Sequence, residues 1–77
     1  MDRQDFRTPD LNLASFLYAS GTYLLELDRT DPENVRFVFE DVSPQLLTAF
    51  RMGSATVNAL SFTNAQKDLR NRLKRGD

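Results

Sequence analysis

The sequence predicts a small α+β domain, in the order (β)αββαα, in which an antiparallel hairpin is packed by three helices. Three observations carry this expectation. Residues 22–28 and 34–41 alternate apolar with polar side chains, the two-residue period of a half-buried strand. The turn-rich Arg29-Thr30-Asp31-Pro32-Glu33 lies between them and favours a hairpin. Helix-start signals precede the pair once and follow it twice. The 77 residues make one domain, with 1–5 and 76–77 expected to be disordered. A chain this short buries only about 60–65% of its unfolded surface.

Phe6-Arg7-Thr8 is a candidate short edge strand. Thr8-Pro9-Asp10 then reads as a helix start: Thr8 as cap, Pro9 in the first turn, Asp10 at the positive end of the dipole. Gly21 supplies the stop, so helix one is expected over 9–20. Leu11, Leu13, Ala14, Phe16, Leu17 and Tyr18 spread over about 220° of its circumference. That leaves Asn12, Ser15 and Ala19 as a narrow polar strip. In the hairpin, the expected register sets Tyr23 opposite Phe39, Leu25 opposite Phe37 and Leu27 opposite Val35 on the inner face. The same register sets Leu24 opposite Val38 and Glu26 opposite Arg36 on the outer face.

Val42-Ser43-Pro44 opens a second helix that ends near Met52-Gly53, with Val42 placed to staple against Leu47. Asn58 caps a third over 59–75, with Val57 stapling against Phe62. Its inner face reads Ala59, Phe62, Ala65/Gln66, Leu69 and Leu73.

The pattern Phe6-Arg7-Thr8-Pro9-Asp10-Leu11-Asn12-Leu13-Ala14-Ser15-Phe16-Leu17, then Gly21, then Val35-Arg36-Phe37-Val38-Phe39, resembles an uncharacterised family of short bacterial and phage proteins (domain of unknown function 5659). The match lies mainly in residues 6–40, with Phe62 standing where an aromatic opens the family's final helix. No activity follows from the resemblance. Its phage and mobile-element setting implies a small regulatory or nucleic-acid role.

Composition removes several chemistries. With no cysteine and no histidine, disulfides, thiolate zinc sites, imidazole bases and the commonest transition-metal ligand are absent. No cofactor is expected. No basic leader precedes an apolar stretch, and no apolar run approaches membrane-spanning length, so a cytoplasmic protein is expected. The net charge of −1 conceals an asymmetry. Residues 1–45 hold nine acids and four bases, whereas 46–77 hold two acids and six bases.

Three groups of residues are candidate sites. Lys67, Arg70 and Lys74 fall within about 60° on the third helix, with Arg72 and Arg75 flanking. This stripe suits phosphates, but cations also gather at helix C-termini for the dipole alone. Asp28, Asp31 and Glu33, with Glu26 and Asp41, could ligate calcium or magnesium. The stretch is too short for an EF-hand loop, and acids with proline are ordinary turn chemistry. Leu24 and Val38 on the outer sheet face, with Leu11 and Tyr18 on the wide apolar arc of helix one, are candidates for self-association, since a lone hairpin is marginal and an open strand invites pairing. No nucleophile is paired with a base, and the three glycines stand singly, so an enzyme is not expected. The leading expectation is a non-enzymatic interaction or regulatory protein acting as a homodimer. The alternatives are a nucleic-acid-binding accessory protein and an inhibitor of a host protein.

Overall fold

A computed structural model describes residues 5–76. Within them the chain runs β1 (Asp5–Thr8), α1 (Leu11–Ala19), β2 (Tyr23–Asp28), β3 (Arg36–Glu40), α2 (Pro44–Arg51) and α3 (Ala59–Arg75). This is the expected α+β order. The strands form one antiparallel sheet in the order β1-β3-β2. Asp5 and Gly76, both expected to be disordered, are a strand residue opposite Glu40 and the left-handed cap of α3. The same expectation for residues 1–4 and 77 lies outside the described residues.

The start of α1 is two residues later than expected. Asp10 is the cap, its carboxylate accepting from the backbone N–H groups of Asn12 (2.9 Å) and Leu13 (3.3 Å). Thr8 instead accepts from the Asp10 N–H at 3.1 Å. Because β1 holds Thr8 in register with Phe37, the turn can begin only after Pro9. At the other end Gly21 takes φ 91°. Its N–H bonds to the Tyr18 carbonyl and that of Thr22 to the Leu17 carbonyl, the paired closure that a left-handed residue permits.

The hairpin register differs from the expected one. Tyr23 pairs with Glu40 and Leu24 with Phe39; then, past an irregularity at Leu25, Glu26 pairs with Val38, Leu27 with Phe37 and Asp28 with Arg36. Strict alternation cannot place both Leu24 and Leu27 on one face, because they are three residues apart. One extra residue at Leu25 allows it. Two inner rows result, Phe6–Phe39–Leu24 and Thr8–Phe37–Leu27. Leu24 therefore faces the core and not the outer surface. Tyr23 moves the other way and is 66% exposed.

β3 is the central strand, and Phe37, Val38 and Phe39 are all buried. Phe37 and Phe39 join Ala14, Phe16, Leu17 and Leu69 in the core. Val38 points to the opposite face, between Arg7 and Glu26, yet it is 0% exposed. Arg7 on β1 reaches Asp28 on β2 at 3.6 Å, so its side chain crosses over the central strand and shields Val38. The expected half-exposed outer pair of Leu24 and Val38 does not exist.

α1 packs on α3. Gln66 donates to Asn12 at 3.1 Å and Tyr18 to Asp68 at 2.7 Å. Ser15, expected in a polar strip, is fully buried and donates to the Leu11 carbonyl at 2.7 Å, which satisfies its hydroxyl without a partner helix. α2 adds Leu46 and Phe50 to the core, with the Phe50 ring 5.7 Å from that of Phe16. The shortest dimension is 18 Å, about the depth of one sheet and one helical layer, with all the core contacts on one sheet face.

Candidate functional site

α3 begins where Asn58 accepts from the Ser61 N–H at 3.0 Å. Ala65 and Leu69 are buried against the core, which turns the opposite arc to water. Lys67, Arg70 and Lys74 lie on that arc and are exposed. Among the described residues none of the three has an ion-pair partner. Arg75 is also exposed. The expected stripe therefore stands for these residues as geometry.

Arg72 does not belong with them. It is half-buried on the flank of α3, its Nε 3.5 Å from the Asp68 carboxylate one turn earlier. The same carboxylate oxygen accepts from the Tyr18 hydroxyl. That hydrogen bond and burial raise the Tyr18 pKa above its ordinary 10.0, against a smaller lowering by Arg72. Tyr18, Asp68 and Arg72 thus form a polar clasp between α1 and α3. Arg29, which sequence reasoning left as a turn residue, donates to the Arg72 carbonyl at 2.9 Å and the Leu73 carbonyl at 3.4 Å. The Arg72 carbonyl already accepts from the Gly76 N–H at 3.1 Å, so the guanidinium adds a second donor there and places a cation at the negative end of the helix. The only sequence signal was a cation just after a strand.

The acidic turn is folded upon itself. Asp28 accepts from the Thr30 hydroxyl (2.6 Å) and N–H (2.9 Å), and Asp31 from the Glu33 N–H (3.1 Å). The Thr30 hydroxyl first, then its N–H and the nearby guanidinium groups of Arg7 and Arg36, hold Asp28 below its ordinary 3.8. Among the described residues no three acids are placed to share a cation. These carboxylates act as Asx-turn acceptors.

The four residues expected to mediate self-association are not brought together on one surface. Leu11, Leu24 and Tyr18 pack against the core, and Val38 is buried on the far face. The large apolar side chains left in water are Tyr23 (66% exposed), Met52 (76%), Leu60 (68%) and Val57 (36%). Tyr23 begins β2, and beside it lies a cleft of about 480 Å³ lined by Tyr18, Thr22, Tyr23, Leu24, Leu25 and Arg72. Sequence periodicity missed this cleft because it placed Tyr23 and Leu25 in the core. No helix among the described residues is long and apolar enough to cross a membrane.

One family profile, that of the Domain of unknown function (DUF5659), matches the chain over residues 3–76. No curated protein and no solved structure gives a significant match.

Proposed function

Since the chain belongs to the DUF5659 family, we propose, from its own surface, that it is a non-enzymatic cytoplasmic interaction or regulatory protein that acts as a homodimer. The observation that supports this reading is a strand, β2, that among the described residues ends the sheet with one side unpaired and begins in an exposed tyrosine. Unpaired strand edges are templates for a further strand, and a symmetric pair is the commonest way to close one. A phage-like or mobile-element setting belongs to the same proposal. Light scattering behind size exclusion at micromolar concentration tests the reading. A mass near twice the 8.8 kDa of one chain is expected, and a monomer throughout the concentration series would remove it.

A second reading is favoured by one observation, the exposed Lys67, Arg70 and Lys74 on a single arc of α3, which have no ion-pair partner among the described residues. In this reading α3 lies along the phosphates of a nucleic acid, with Arg75 at its end. Arg72, engaged by Asp68, contributes less than the sequence suggests. Fluorescence anisotropy with single- and double-stranded oligonucleotides at two salt concentrations tests it. Binding should weaken steeply with salt and fall in the Lys67→Glu/Arg70→Glu variant. Absence of binding at low salt ends this reading.

A further inference from the structure

We infer that the second copy docks on the edge of β2, strand to strand and antiparallel, so that each subunit's acidic hairpin turn enters the other's Tyr18–Arg72 cleft. This names the interface of the self-association proposed above and rests on that reading.

β2 is the longest of the three strands, with six residues against five in β3 and four in β1, and it stands at the edge. Long edges are unusual, and natural ones carry lysine or proline to prevent pairing. Tyr23–Asp28 contains neither. Its guards are the charges of Glu26 and Asp28 and the irregularity at Leu25, which bends the strand locally.

Charge selects a second copy as the occupant. Antiparallel pairing about the middle of β2 sets the C-terminal end of one strand beside the N-terminal end of the other. The turn that follows β2 therefore lies against the residues that precede β2 in the partner. That turn carries Asp31 and Glu33, both exposed. The residues before β2, Tyr18 to Thr22, flank the cleft that contains Arg72. Asp68 is 3.5 Å from Arg72 at Nε, and the Tyr18 hydroxyl also meets the Arg72 guanidinium, which keeps further N–H donors for a carboxylate. Each copy thus offers an acidic turn and receives one at a guanidinium, as a two-fold interface requires. The net charge of −1 adds little repulsion between copies.

The test combines light scattering with hydrogen exchange on the full chain. Leu25→Lys places a cation on the edge, and Glu33→Arg reverses the charge of the turn at an exposed position. Both should lower the mass twofold relative to the wild type at equal concentration while far-UV circular dichroism stays native. Lys67→Glu, on the far arc of α3, should leave the mass unchanged. In the wild type, β2 amides should be protected in the dimer and exchange at least tenfold faster once dilution separates it. Should Leu25→Lys fail to fold, the dilution dependence of β2 exchange still decides. A dimeric wild type whose β2 amides exchange alike at all concentrations overturns the interface and leaves self-association standing. A wild type monomeric at every concentration overturns both, and the edge then belongs to another partner or to none.

Discussion

The bulge at Leu25 makes a prediction opposite to that of a regular strand. Leu24 lies opposite Phe39 and packs against the core, whereas Leu25 is the extra residue and is not among those packed there. A fully buried Leu→Ala substitution costs about 2.7–5 kcal/mol. Leu24 is only partly buried, so Leu24→Ala should cost about 1.5–2.5 kcal/mol on that scale. Leu25→Ala should cost less than about 1 kcal/mol, near the value of a side chain that leaves no core cavity. Total stability for this length is roughly 4–12 kcal/mol, so both variants should fold. The assay is guanidinium denaturation at concentrations low enough that association adds nothing. With a slope of about 2 kcal/mol per molar for a small domain, the midpoint should fall by about 1 M for Leu24→Ala and by less than about 0.5 M for Leu25→Ala. The reverse order would mean that Leu25 faces Phe37 and that the strand is regular, which refutes the bulge.

Three further outcomes follow from the same contacts. Val38→Asp should destabilise the monomer by roughly 2 kcal/mol or more, because the side chain is 0% exposed and a buried carboxylate is costly even beside a cation; an unchanged denaturation midpoint would show that Arg7 does not shield it. Asp28, held below 3.8, contributes stability that is fully present above that pH and lost as the pH falls below it. Asp28→Asn should therefore flatten the acid limb of a stability profile, and an identical limb would contradict the assignment. Tyr18, raised above 10.0, contributes stability that is present below that pH and lost as its hydroxyl ionises above it. In an ultraviolet difference titration, Tyr18→Phe should remove a tyrosinate signal that rises only above pH 10.0.

Much of the fold is local chemistry and was legible as such. Asn58 caps α3, Gly21 closes α1, and Pro44 starts α2, since each signal acts within one helical turn. Phe37 and Phe39 were assigned inward by their spacing, and they are. The errors share one cause. The expected register treated residues 22–41 as an isolated two-stranded ribbon with matched faces. The structure instead adds β1 to the free side of β3, making β3 central and selecting rows that include Phe6 and Thr8. With three strands to satisfy, placing both Leu24 and Leu27 inward outweighs regular alternation. The candidate sites were only partly legible for the same reason. Spacing on α3 located Lys67, Arg70 and Lys74, but nothing near Arg72 in sequence shows that its partner Asp68 also binds Tyr18, fifty residues from Asp68 in the chain.

The sequence by itself determined the element order, the Asn58 cap of α3 and the Gly21 stop of α1, the exclusion of thiol and imidazole chemistry, and the division into an acidic first part and a basic helix. Those properties depend on residue identity and on neighbours within a turn or two. The tertiary structure alone decided which strand is central and which two stand at the edges, that Arg7 bridges to Asp28 across Val38, and that Arg29 closes the end of α3. Each of these joins groups far apart in the chain, and their energies arise only once packing has brought them into contact.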